Sequence, residues 1–262
     1  RQTPGFSGAD IANVCNEAAL IAARGGKRFV QKDDFMNAVD RIIGGLEKRT
    51  RITTAQERRS IAYHEAGHAS ISWLLEYANP LVKVTIVPRG KALGAAWYLP
   101  EERQITTREQ LLDEMCATLG GRAAEEIFLG AISTGASNDL ERVTKQAYAM
   151  VTYFGMSDQL PNLNYYDSTG QEWGFTKPYS EETARLIDKE VQKIINEQYD
   201  RARTILRDNA AKHNQLAEKL LECEVIYSED LEKIFGKRPW ASRSEEIMEQ
   251  QAADTSTTAP HA

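Results

Sequence analysis

Two of the chain's four histidines, His64 and His68, stand four residues apart inside one unbroken helical pattern. Positions i and i+4 share a helix face, so both imidazoles reach one point in space. Glu65 follows His64 and projects beside that point instead of onto it. The pattern His-Glu-x-x-His therefore places two nitrogen ligands on one ion and a carboxylate where it can hold a water at that ion and take its proton. Gly67 and the small Ala66 and Ala69 leave room for the backbone of another segment. Apolar Ile61, Ala62, Ile71, Trp73 and Leu74 bound the run, which strengthens the motif over a chance pair of histidines.

A catalytic zinc takes three protein ligands and keeps one position open for water. The third ligand must come from elsewhere in the chain. The longer motif that supplies a third histidine needs glycine at position 71 and histidine at position 74; Ile71 and Leu74 exclude it. His213 falls in a distal helix and His261 in the C-terminal tail, so both are poor candidates. Carboxylates remain: Glu125 and Glu126 after Gly120-Gly121, and Asp139 after Thr134-Gly135-Ala136-Ser137-Asn138. Asp139 is favoured. A first-turn carboxylate is oriented by its helix N-terminus, and the small-residue loop before it can approach another helix closely. Glu125 or Glu126 stays open as the alternative. The unused carboxylate would accept a hydrogen bond from the far nitrogen of a ligand imidazole.

The rest of the chain reads as mainly α. Helical spacing marks Ile11–Arg24, stopped by Gly25-Gly26, and about Asp33–Ile43, ended by Gly44-Gly45. Together they make a small helical unit over residues 1–47. Lys48–Thr54 reads as a linker into a second domain over 48–241. The histidine-bearing helix begins near Thr54, whose spacing to Glu57 is that of a capping box, and closes by Asn79-Pro80. Val82–Val87 and Leu93–Leu99 are read as the only substantial strands, a ribbon turning at Pro88–Lys91 whose edge can pair with an extended chain. Helices are expected over Thr107–Leu119, where Gly120-Gly121 breaks the run, then Arg122–Phe128, about Asn138–Phe154, Ser180–Asn209, Asn214–Glu222 and Ser228–Phe235. The stripe Ile187, Val191, Ile194, Ile195, Ala202, Ile205 and Leu206 on the longest helix suits a core or an interface. Residues 155–177 are irregular. Residues 242–262 read as a disordered tail.

With 42% hydrophobic residues the chain can bury a core, and a net charge of −6 argues against a nucleic-acid surface. Cys15, Cys116 and Cys223 are odd in number and never spaced as CxxC. That argues against a disulfide framework or a cysteine-based zinc site and for buried thiols in a reducing compartment. No apolar run is long enough to span a bilayer. The N-terminus has neither an initiator Met nor a signal-peptide core, which suggests a piece of a longer protein.

Several separated blocks are shared with one family. They are Thr3-Pro4-Gly5-Phe6-Ser7-Gly8-Ala9-Asp10, Asn16–Leu20, Tyr63–His68, Gly120-Gly121-Arg122-Ala123-Ala124-Glu125-Glu126 and Thr134–Leu140. In order and spacing the chain resembles the C-terminal part of the FtsH family of membrane-anchored, ATP-dependent zinc proteases, over about residues 3–240. The resemblance implies a Zn2+ cofactor held by His64, His68 and Asp139, with Glu65 as general base. It implies that residues 1–47 are the helical lid of an AAA+ ATPase module, with Gly8 and Ala9 near the adenine nucleotide. No G-x-x-x-x-G-K-[ST] phosphate loop is present, so ATP and Mg2+ belong to the intact protein only. For that protein the resemblance implies a hexamer, polypeptide substrates, a role in protein quality control, and anchoring through N-terminal segments not in this chain. Its peptidase part would face the cytoplasmic side of a bacterial inner membrane or the organellar equivalent.

Overall fold

A computed structural model of the chain describes residues 6–44, 54–88, 94–98, 105–165 and 178–240. The chain divides into two compact units, one of residues 1–62, 79–104 and 219–262 and the other of 63–78 and 105–218.

The first unit opens with α1 (Gly8–Arg24) and α2 (Lys32–Gly44). Ser7 caps α1: its hydroxyl accepts from the Asp10 amide at 3.2 Å, and the Asp10 carboxylate accepts from the Ser7 amide at 2.9 Å. Val14, Ala18 and Ala38 form the seam between the two helices, with Phe6, Ile21, Val39 and Ile42 around it. The linker before Thr54, the turn at 89–91, the stretch 166–177 and the tail 242–262 lie outside the described residues. α3 (Ala55–Leu74) starts at the expected box, with Glu57 Oε2 accepting from the Thr54 amide at 2.7 Å and Thr54 Oγ1 accepting from the Glu57 amide at 3.2 Å.

β1 (Leu81–Thr85) and β2 (Ala95–Tyr98) pair antiparallel, with a register shift between Leu81 and Lys83. They are not alone. α7 (Ala210–Cys223) leads into β3 (Val225–Tyr227), which pairs with the other edge of β1 so that Val84 faces Ile226, and α8 (Ser228–Phe235) follows. The reading of a two-stranded ribbon is thus corrected to a three-stranded sheet in the order β2-β1-β3. β1 has both edges filled, so an added strand would have to join β2 or β3.

The second unit is helical. α4 (Arg108–Ala124), α5 (Ser137–Thr152) and α6 (Glu181–Asp208) pack around Met115, Leu119, Val143, Met150, Ile187, Val191 and Ile194. Each large apolar side chain taken fully from water contributes on the order of 1.5–3 kcal/mol. Ile187, Val191, Ile194, Ala202 and Leu206 are all buried, so the stripe on α6 is core. Thr107 and Gln110 form the expected capping box on α4.

α4 does not break at Gly120-Gly121. It runs through both residues to Ala124 and continues into a π-helical turn, Glu125–Leu129, which ends at Gly130 with φ +65°. The reason is packing. A Cβ on Gly67 would lie 2.3 Å from the Gly120 carbonyl oxygen, and one on Gly120 would lie 2.7 Å from that of Gly67. The glycines let α3 and α4 touch backbone to backbone, and the neighbouring helix offsets their poor intrinsic helix propensity. The thiols also depart from expectation: Cys116 is buried, whereas Cys15 and Cys223 are exposed.

Candidate metal centre

The close crossing of α3 and α4 decides where the histidines sit. Gly121 faces both rings: a Cβ there would lie 2.5 Å from His64 Nε2 and 2.6 Å from His68 Nε2. His64, Glu65 and His68 are each only 8% exposed. His68 Nδ1 lies 2.9 Å from the carbonyl oxygen of Ala117 on α4. A carbonyl only accepts, so this nitrogen carries the proton and Nε2 is left as a bare lone pair. His64 Nδ1 lies 2.7 Å from Glu125 Oε1, which fixes the same tautomer. Glu125 stands at the start of the π turn, in keeping with the tendency of such turns to occur at functional sites.

The two Nε2 atoms then face one another at 3.0 Å. Asp139, in the first turn of α5, brings Oδ2 to 3.3 Å from His64 Nε2 and 3.5 Å from His68 Nε2. Two lone pairs and a carboxylate oxygen converging this closely repel unless a cation sits among them. Tetrahedral Zn2+ with bonds of 2.0–2.1 Å needs ligand atoms roughly 3.3 Å apart. The three separations bracket that value, so the donor set fits zinc. Among the described residues, these three form the group that could hold a metal ion.

Electrostatics agree. Burial disfavours a charged His64, but hydrogen bonds to Asp139 and Glu125 and the charge of Glu65 outweigh it and push its pKa up to about 10. Burial likewise raises Asp139, yet the contacts with His64 and His68 hold its carboxyl well below the usual carboxylate range. The raised His64 and the lowered Asp139 both mark a pocket that favours positive charge between them.

The remaining carboxylate, Glu126, belongs to a different network: Tyr199 donates to its Oε2, and Arg203 pairs with its Oε1 at 3.1 Å. His213 is fully buried, stacked on Phe128 at 4.3 Å with its Nδ1 3.3 Å from Ser70 Oγ. His261 is outside the described residues. Gly8 and Ala9 lie exposed in the first turn of α1.

Sequence reasoning passed over Ser133 and Arg122. The Ser133 amide donates to Glu125 Oε2 at 2.6 Å and its hydroxyl to Oε1 at 3.0 Å. The same hydroxyl accepts from the Gly135 amide at 3.1 Å, opening the 3-10 turn Thr134–Ala136 that leads into α5. Arg122 Nη1 donates to the Ser133 carbonyl at 2.8 Å. The Ser-x-Gly spacing at the start of the loop was the available signal.

Comparison with known proteins adds the following. The family model described as Peptidase family M41 matches residues 51–234, and the AAA+ lid domain model matches residues 1–37. The chain is 83% identical, over 96% of its length and 37% of the relative's, to a protein of Parabacteroides distasonis named ATP-dependent zinc metalloprotease FtsH. A protein of the same name from Rhodothermus marinus is 57% identical over 91% of this chain and 35% of its own length. The mouse mitochondrial inner membrane m-AAA protease component AFG3L2 is 48% identical over 98% and 32%. The chain thus spans roughly a third of the length of these curated relatives.

Proposed function

Because the chain belongs to peptidase family M41, we propose that it is the proteolytic part of a zinc-dependent endopeptidase, with His64, His68 and Asp139 as ligands and Glu65 as general base. The observation that carries this reading is the convergence of two tautomer-fixed Nε2 atoms and one carboxylate oxygen at zinc-like spacing. When bound, Zn2+ supplies Lewis-acid polarisation of the scissile carbonyl and acidifies water.

The chain's own residues do the rest. Glu65, buried beside His64 on α3, takes the proton from the attacking water and passes it to the leaving amine. Glu125 holds His64 in the tautomer that presents Nε2, and the Ala117 carbonyl does so for His68. The substrate is an unfolded or membrane-derived polypeptide.

In the intact protein, residues 1–47 serve as the lid of an AAA+ module whose ATP-driven unfolding and translocation feed the site, with Gly8 and Ala9 near the nucleotide. The lid-model match over residues 1–37 supports the lid, and the words ATP-dependent in the relative's name support the coupling to ATP. The resemblance further implies a hexamer that acts in protein quality control. Its anchor is in the membrane, and its peptidase part lies on the cytoplasmic side of a bacterial inner membrane or the organellar equivalent. No helix among the described residues is long and apolar enough to cross a membrane.

Metal analysis joined to a casein-cleavage assay tests the reading. One Zn2+ per chain is expected, with cleavage lost on Glu65→Gln while zinc is retained. A zinc-free, inactive chain sinks it, as does full cleavage by the Glu65→Gln variant.

A further inference from the structure

We infer that Ser133 is a positioning residue that ties the two halves of the metal site together, setting His64 and Asp139 at once through Glu125 and the turn before α5. The inference rests on the ligand set proposed above.

One half of the site arrives on α3 and the other on α5, from chain segments with no covalent bond near the metal. His64 is held from behind by Glu125. Glu125 is a short-range device only if its own carboxylate cannot rotate. Ser133 fixes both of its oxygens, Oε2 through the backbone amide and Oε1 through the hydroxyl. The hydroxyl has one proton and spends it on Glu125 Oε1, leaving its lone pairs for the Gly135 amide. That second bond caps the 3-10 turn Thr134–Ala136, and α5 begins at the next residue, placing Asp139 two positions further on.

A single hydroxyl therefore belongs to a closed circuit: His64 Nδ1, Glu125, Ser133, the turn, Asp139 and back to His64 Nε2. A Cβ at Gly135 would lie 3.1 Å from Ser133 Oγ, so a larger residue there would press on this hydroxyl. Arg122, the residue after Gly121, secures the Ser133 carbonyl and so ties this loop to α4. Ser133 is exposed, so no packing requirement accounts for its identity. An exposed loop serine that makes two bonds to one buried carboxylate and accepts a third is explained by what it holds.

The test uses the full 262-residue chain, loaded with Zn2+ or Co2+ alone, and reads metal affinity by chelator competition and the visible spectrum of bound Co2+. Ser133→Ala is expected to weaken Zn2+ binding roughly 10-fold, the low end for residues that orient a ligand from behind, and to alter the Co2+ spectrum. Ser133→Thr, which keeps the hydroxyl, is expected to restore affinity to within about threefold of the starting chain. In the Glu125→Gln background Ser133→Ala is expected to cost less than in the starting chain, because only the bond from the Gly135 amide is then left to lose. Unchanged Zn2+ affinity and Co2+ spectrum in Ser133→Ala would overturn the inference, as would fully independent effects of the two substitutions. Failure of the unsubstituted chain to bind Zn2+ overturns the proposed ligand set as well; binding that ignores Ser133 overturns this inference alone.

Discussion

Replacing Gly121 with alanine separates the requirement for space at the metal from the requirement for fold stability. The new methyl would stand 2.5 Å from His64 Nε2 and 2.6 Å from His68 Nε2, about 0.9 Å short of ordinary contact, an overlap of the kind that costs roughly 1–3 kcal/mol in a packed interior. Both atoms are ends of side chains. In the metal-free protein the rings relieve part of the overlap by tilting about their Nδ1 contacts with Glu125 and the Ala117 carbonyl, so the melting temperature should change less than the zinc affinity. With zinc bound they cannot turn, and the cost appears in the dissociation constant. At 1.4 kcal/mol per factor of ten, affinity should fall roughly 5- to 150-fold. Gly120→Ala is the control: its methyl would lie 2.7 Å from the Gly67 carbonyl oxygen. Backbone cannot swing away, so the same 1–3 kcal/mol should appear in the metal-free protein as a melting temperature lower by roughly 2–12 °C. Chelator competition and calorimetry on both metal-free variants read the two quantities. Zinc affinity within twofold of the unsubstituted chain in Gly121→Ala would refute the argument.

Asp139→Ala should abolish stoichiometric zinc, while Glu126→Ala should leave it intact; zinc retained by the first variant and lost by the second would reassign the third ligand. Burial holds the His213 pKa down at about 4, below its ordinary 6.5. The unfolded chain therefore takes up a proton below about pH 6.5 that the folded chain refuses until about pH 4, and stability falls across that window by roughly 3 kcal/mol. Denaturant titrations of the starting chain and His213→Leu should differ in pH slope by that amount between pH 7 and 4, and parallel curves would refute it. A thiol reagent should modify Cys15 and Cys223 quickly and Cys116 only on unfolding, since burial pushes the Cys116 thiol up to about 12; three equally fast thiols would contradict the structure.

What the sequence made legible was local. Thr54 with Glu57 and Thr107 with Gln110 announce helix starts because the partners are three residues apart. His64 and His68 announce a shared face for a similar reason. The misreadings all involve distant partners. Gly120-Gly121 has the same composition whether it breaks a helix or lets one pass, and only the opposing Gly67 decides between them. Val225-Ile226-Tyr227 is too short to read as a strand without β1, some 140 residues earlier. Exposure of Cys15 and Cys223 likewise depends on which face each helix buries. The choice between Asp139 and Glu125 turned on a resemblance at the level of sequence. In the structure it is a matter of which carboxylate meets the Nε2 side of the rings and which the Nδ1 side.

The placement of β3 bears on where the chain can be cut. Ile226 is fully buried against β1, and the Ile86 amide donates to the Glu224 carbonyl at 3.0 Å. Arg58, at the start of α3, donates to the Leu221 carbonyl at 3.0 Å. A truncation after Cys223 would leave the backbone of Lys83, Val84 and Thr85 as an unpaired strand edge, the kind of template on which chains aggregate. Proteolytic trimming from the C-terminus should therefore begin to destabilise the fold at α8, whose Leu231 is fully buried, and lead to precipitation once it passes this three-residue strand.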